Sequence, residues 1–75
     1  MKADKTLDCI GLFCPMPVIK TKQELETMQS GQILEILADD PGFEQDLPAW
    51  CQMTGNQLVG IEKDGNIIKG YVRKK

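Results

Sequence analysis

Cys14 has the clearest capacity for chemistry in this sequence, because it stands in the run Cys14-Pro15-Met16-Pro17. The residues after it have helical periodicity, so Cys14 is predicted to be the N-cap, with Pro15 in the first helical position. The first N–H groups of a helix have no internal partner, and the helix dipole is positive at this end. Both effects favour a thiolate, or a persulfide anion, at the Cys14 sulfur. We therefore expect Cys14 to be an exposed nucleophile with a lowered pKa.

The two prolines indicate that this helix start serves more than helix formation. Pro17 disfavours the helical conformation of Met16, so propensity alone would rarely select this sequence. We interpret Pro15, Met16 and Pro17 as supports that stiffen the helix N-terminus and present the sulfur. The N–H groups of Met16 and Val18 are expected to point at it, after a flexible loop over 11–13.

The other two cysteines, Cys9 and Cys51, have less distinctive surroundings. Cys9 alternates with Leu7, which predicts an inward, packed side chain. Alternatively, Cys9 is a second thiol that attacks a persulfide on Cys14 or closes a disulfide with it, which requires Cα atoms within about 7 Å. Cys51 follows Trp50 in an apolar helical stripe and is predicted to pack in the core.

Composition restricts the classes of function. The chain has 75 residues, which predicts a single domain over 1–75, and it has no histidine, which excludes Cys–His catalysis and most zinc sites. We expect no metal and no cofactor. A net charge of −2 and a pI of about 4.9 argue against nucleic acid as a direct ligand. An odd number of cysteines, no apolar signal core and no run near ~20 apolar residues predict a cytoplasmic protein without a membrane span.

Hydrophobic periodicity and turn signals predict six elements in the order β-α-β-α-β-β. Both helices can cover one face of a four-stranded mixed sheet, so the predicted fold is a two-layer α/β sandwich. Pro48 favours a main start of the second helix near Asp46, after an Asp40 N-cap and Pro41, and Gly55 ends that helix. Asp64-Gly65 is the predicted two-residue hairpin turn. The predicted strands are 6–10, 32–38, 57–63 and 66–74, and the predicted helices are 15–29 and 41–54.

The same patterns assign inward and outward faces. The inward stripes are Val18, Thr21, Leu25 and Met28 on the first helix and Phe43, Leu47, Trp50 and Cys51 on the second. In the sheet, Leu34, Ile36, Ala38, Val59, Ile61, Ile68, Gly70 and Val72 are predicted to face the helices. The open sheet face would carry Ile33, Leu37, Leu58, Ile67 and Tyr71 among Glu35, Glu62 and Lys69. Such a face is either scattered surface apolar residues or a partner surface.

The sequence resembles the TusA/SirA/YedF family of small sulfurtransferases. The resemblance covers about residues 6–74 and is carried by Leu7-Asp8, Gly11-Leu12, Cys14-Pro15-x-Pro17-Val18, Thr21-Lys22, Leu25, Gly31, Asp40-Pro41, Asp46-Leu47-Pro48, Trp50-Cys51, Gly55 and Leu58. It implies a β-α-β-α-β-β sandwich and a persulfide on Cys14. It also implies a donor protein, either a cysteine desulfurase or a rhodanese-like protein, and an acceptor protein. Acceptors in the family serve tRNA thiolation, molybdenum cofactor synthesis, sulfur oxidation, thiosulfate use or selenium metabolism. Cys9 and Asn56 depart from the common pattern.

Several residues near the motif are candidates for supporting roles. Phe13 and Met16 would shield the sulfur or contact a donor protein, and Asp8 is expected to hold the loop backbone. Lys20 and Lys22 are either a solvated helix face or a contact for an acidic partner. Two other functions stay open, a dithiol redox protein using Cys9 and Cys14, and a regulatory or RNA-associated binding module using the open sheet face or the basic residues 73–75. Residues 1–4 are expected to be loose.

Overall fold

The computed structural model describes residues 2–75, and its elements follow the predicted order β-α-β-α-β-β. The four strands form one mixed sheet in the order β1-β2-β4-β3, in which β1 is parallel to β2 and the other neighbours are antiparallel. Within residues 2–75, no helix is long and apolar enough to cross a membrane. The elements are β1 Lys5–Asp8, α1 Met16–Glu26, β2 Ile33–Ala38, α2 Phe43–Thr54, β3 Gln57–Asp64 and β4 Ile67–Arg73.

The core lies between the sheet and the two helices, which confirms the two-layer sandwich. Three alternate residues of β2 point into this core, and each of them is 0% exposed. The predicted stripe of α2 is buried, and so are Thr21 and Leu25 of α1. Gly70 of β4 allows α2 to approach closely, because a side chain there would overlap a methyl group of Leu47 and crowd the Phe43 ring. The buried β2 residues are Leu34, Ile36 and Ala38.

Helix α1 is shorter than predicted and begins one residue later. Pro15 is its N-cap, so Cys14 precedes the cap, and the predicted N-cap position of Cys14 is wrong. The helix ends at Glu26, because the N–H groups of Thr27 and Met28 donate to carbonyls three residues back and tighten the last turn. Cys14 therefore lies one residue further from the first helical turn than predicted.

Helix α2 starts earlier than predicted and runs through Pro48. Its N-cap is Gly42 and its first residue is Phe43, so the predicted Asp40 cap and the predicted start near Asp46 are wrong. Pro48 cannot donate a backbone hydrogen bond, but burial of the α2 apolar stripe outweighs that loss. The predicted end is confirmed, since Gly55 caps the helix with φ +83°.

The β3–β4 hairpin differs from the prediction at its turn and at a bulge. Asp64 pairs with Ile67, so the turn is Gly65-Asn66, and φ +62° at Gly65 fits a type II′ turn with glycine first. A register shift between Leu58 and Gly60 leaves Val59 as the extra residue of a bulge. Leu58 therefore pairs with Val72 and packs against the core, contrary to its predicted place on the open face.

On the open sheet face, Tyr71 is buried although the helices lie on the other side. Its hydroxyl donates to Glu35 Oε2 at 2.7 Å and contacts Glu62 Oε1 at 3.2 Å. These contacts, chiefly the bond to Glu35, raise the pKa of Tyr71.

Hydrogen bonds hold the chain to the sheet from Asp4 onward, before the predicted first strand begins. Asp4 donates its N–H to the Ile33 carbonyl and accepts the Ile33 N–H on its side chain, both at 2.8 Å, so the expectation that residues 1–4 are loose is wrong for Asp4. Residue 1 lies outside the described residues.

Candidate functional site

The loop that leads from β1 to Cys14 is anchored by aspartate side chains. Each carboxylate accepts a backbone N–H, so the loop is held at three points and is not the flexible segment that the sequence predicted. The expected role of Asp8 in holding the backbone is confirmed. The bonds are Ile10 N–H to Asp8 Oδ1 at 2.9 Å, Gly11 N–H to Asp39 Oδ1 at 3.0 Å and Cys14 N–H to Asp40 Oδ2 at 2.7 Å.

The Cys14 thiol is exposed and donates a hydrogen bond to Asp46 Oδ2 at 2.6 Å. Asp46 belongs to the first turn of α2, and Asp40 lies just before that helix. The bond to Asp46 raises the pKa of Cys14, with smaller effects in the same direction from desolvation and from the charges of Asp46 and Asp40. The expected lowered pKa is therefore wrong, because carboxylates surround the sulfur.

The N-terminus of α1 gives the sulfur less support than the sequence predicted. The Met16 N–H donates to the Phe13 carbonyl at 2.8 Å, so it does not point at the Cys14 sulfur. The Cys14–Pro15 peptide bond is cis. Pro17 is buried in the second helical position, whereas Pro15 and Met16 are exposed. A helix end carries about half a positive charge, which is less than the two full carboxylate charges opposing it.

A shallow apolar groove of about 310 Å³ adjoins Cys14 between α1 and α2. Val18, Trp50 and Met53 contribute to its lining, and Met53 is 78% exposed. Phe13, next to Cys14 in the chain, is 75% exposed. An accessible thiol thus has exposed apolar side chains close by.

The predicted lysines lie elsewhere on α1. Lys20 lines a depression with Leu7, and Lys22 lines another with Trp50, so neither belongs to the groove that contains Cys14.

Cys9 and Cys51 are free thiols inside the core, 0% and 2% exposed. Burial raises the pKa of both, that of Cys51 to about 11. A role for Cys9 as a second thiol stays a prediction, and its place in the core is consistent with packing.

The sequence patterns do not predict that Asp40 and Asp46 lie close to Cys14. Both residues stood in segments interpreted as a helix start, 26 and 32 positions away along the chain. The packing of α1 against α2 brings these residues close to Cys14, so no local pattern predicts the contact.

Comparison with known proteins yields consistent matches along nearly the whole chain. The sequence profile of the family described as sulfurtransferase TusA matches residues 5–74. Over 74 residues the chain is 45% identical to YrkF of Bacillus subtilis, a candidate sulfur carrier, covering 99% of the chain and 40% of YrkF. It is 38% identical to the sulfur carrier protein TusA of Allochromatium vinosum, covering 95% of the chain and 93% of that protein.

A solved structure has the same fold. The crystal structure of a SirA-like protein from Desulfitobacterium hafniense superposes with a TM-score of 0.79 at 30% identity, over 92% of this chain and 95% of that one. The curated relatives differ in length, and the chain spans only 40% of YrkF and 38% of a relative from Aquifex aeolicus.

Proposed function

Because the chain belongs to the TusA sulfurtransferase family, we propose that it accepts sulfane sulfur as a persulfide on Cys14 and passes it to an acceptor protein. The observation that carries the proposal is the exposed Cys14 thiol within the matched residues 5–74. The other two thiols are buried in the core, where a protein partner cannot reach them.

The proposed donor is a cysteine desulfurase or a rhodanese-like protein, and the donor and acceptor would approach the same exposed end of the sandwich. Phe13 is the proposed partner contact, because it precedes Cys14 in the chain and its large apolar side chain is 75% exposed. A reducing compartment such as the cytoplasm suits this function, because free thiols persist there.

Sulfur loading tests the proposal directly. The chain is incubated with a cysteine desulfurase and cysteine, and intact-mass and peptide spectra locate the added sulfur. We expect Cys14 to gain about 32 Da, the mass of one sulfur atom. Cys14→Ser should abolish the gain, and Cys51→Ala, which removes a buried thiol, should retain it. Equal loading of Cys14→Ser and the unmodified chain would overturn the proposal.

A second comparison tests the proposed partner contact. Phe13→Ser should slow loading by the desulfurase and leave loading by glutathione persulfide unchanged, because the small donor needs no protein interface. Equal slowing by both donors would place the effect of Phe13 on the sulfur itself.

A further inference from the structure

The contact between Cys14 and Asp46 joins two groups that both release protons. The Sγ and Oδ2 atoms are 2.6 Å apart, so there is room for one proton between the two groups. A carboxyl group ordinarily has a pKa about 4–5 units below that of a thiol. The proton therefore stays on sulfur, and the resting pair is a thiol that donates to an aspartate carboxylate.

Among residues 2–75, no side-chain cation acts on the Cys14 sulfur, and the partial positive charge at the N-terminal end of α1 is smaller than the two carboxylate charges. The charged groups that act on the sulfur are Asp46 from α2 and Asp40 from the loop before it. From α1, Lys20 and Lys22 line other depressions, and the groove beside Cys14 is otherwise apolar.

Asp46 is fixed in its place by the fold. It lies in the first turn of α2, where the helix dipole favours a carboxylate. The next residue, Leu47, is 0% exposed and packs in the core, which sets the rotation of the helix and directs Asp46 toward Cys14.

Resting on the proposed function, we propose that Asp46 is a positioning residue that holds Cys14 in the protonated, less reactive thiol form, and that sulfur loading begins when a donor displaces the Asp46 carboxylate from the sulfur. The released thiol loses its proton to water, and the Sγ electron pair forms a bond to the sulfane sulfur of the donor persulfide. The donor S–S bond breaks, its electron pair stays on the donor sulfur, and a proton converts that sulfur to a thiol. The sulfane sulfur keeps its oxidation level, so no oxidant or reductant is consumed.

Asp46→Asn tests the restraint without requiring the natural donor. The measurement is the rate of iodoacetamide alkylation at Cys14 as a function of pH, read by peptide mass spectrometry. We expect the profile to shift to lower pH. For each pH unit of that shift, the fraction of thiolate near pH 7 rises about tenfold, and the nucleophilicity of the thiolate falls about threefold. The alkylation rate near pH 7 should therefore rise about threefold per unit.

Glu44→Gln is the matched control. It removes one negative charge from the same helical turn, but Glu44 pairs with Lys63 at 2.6 Å and not with Cys14. Its alkylation profile should stay within about twofold of the unmodified chain, because exposed ion pairs have small effects. A profile of Asp46→Asn that superimposes on the unmodified one would overturn the inference.

Loading by glutathione persulfide separates this inference from the proposed function. We expect Asp46→Asn to load faster than the unmodified chain, by at least the factor seen in alkylation, because loss of the carboxylate also removes its repulsion of this anionic donor. If neither protein gains sulfur on Cys14, the proposed function fails and the alkylation profile still decides the role of Asp46. Should Asp46→Asn fail to fold, the unmodified chain is alkylated when native and when unfolded in urea. The inference would then be overturned if the alkylation profile of Cys14 has its midpoint at the same or a lower pH in the native chain than in the unfolded chain.

Discussion

Charged thiol reagents should report the sign of the electrostatic potential at Cys14, where two opposing sources meet. The N-terminal end of α1 contributes about half a positive charge and would favour an anionic reagent. The carboxylates of Asp46 and Asp40 contribute two negative charges and would favour a cationic one. We predict that a methanethiosulfonate carrying a quaternary ammonium reacts faster with Cys14 than one carrying a sulfonate.

The expected ratio follows from the charges near the sulfur. A reagent charge about 5 Å from one carboxylate changes the reaction rate about fourfold in water without salt and about twofold at 0.15 M salt. Because the cation is accelerated and the anion is slowed by the same factor, one carboxylate gives a cation-to-anion rate ratio of about 16 without salt and about 4 at 0.15 M salt. The helix end cancels about half of one carboxylate, which leaves roughly 1.5 negative charges. The ratio should therefore be about 5–10 at 0.15 M salt and several times higher at low salt.

The assay measures both rates at Cys14 and divides their ratio by that of 2-mercaptoethanol, which removes the intrinsic difference between the reagents. Asp46→Asn and Asp40→Asn should each lower the ratio by about two- to fourfold at 0.15 M salt. A ratio of one or less in the unmodified chain would refute the reasoning, because the helix end would then dominate the carboxylates.

Three further predictions concern the core and the open sheet face. Gly70→Ala should lower the free energy of unfolding in urea by about 1–3 kcal/mol, since the added methyl group overlaps Leu47, and Leu47→Ala should cost less in that background than alone. In the native chain Cys14 should be alkylated first, because Cys51 is 2% exposed and burial raises its pKa to about 11; faster reaction at Cys51 would contradict its packing. The pKa of Tyr71 is raised in the folded state, so its contribution to stability is present below about pH 10 and is lost as the pH rises further. Tyr71→Phe should reduce the fall in urea midpoint between about pH 9 and pH 11, and identical pH dependence would exclude this role.

The order of the elements and most inward faces could be predicted because their apolar patterns repeat several times. In β2, three alternate residues share the buried face, and α2 carries four apolar residues at helical spacing. Such repeats average out single exceptions such as Pro48. The predicted core of α2 is therefore correct, although its predicted start is not.

The hairpin was harder to predict because its details depend on single residues. Asp64-Gly65 and Gly65-Asn66 are both two-residue turn signals, and only the pairing of β4 with its neighbours selects the second. The extra residue at Val59 then reverses the alternation, which brings Leu58 to the core side. A period-2 pattern cannot reveal a bulge within a run that is apolar on both sides.

At the site, the exposure of Cys14 could be predicted but its chemical state could not. Exposure follows from the local sequence, a loop followed by a proline-rich helix start. The state of the thiol depends on Asp46, which is 32 residues away and reaches the sulfur only because α1 and α2 pack side by side. A prediction from the helix dipole alone therefore had the wrong sign for the pKa.

The carboxylates at Cys14 also bear on what happens after loading. On the proposed function, the sulfur must leave Cys14 as readily as it arrives, because a carrier that retains its cargo does not deliver it. A persulfide anion beside Asp46 and Asp40 is repelled by two charges of its own sign, which disfavours the loaded state relative to an acceptor without such neighbours. On the same proposal, the carboxylates that lower the reactivity of the resting thiol also favour transfer onward, and the apolar groove and the exposed Phe13 side chain are the proposed surface on which a partner excludes water from the sulfur.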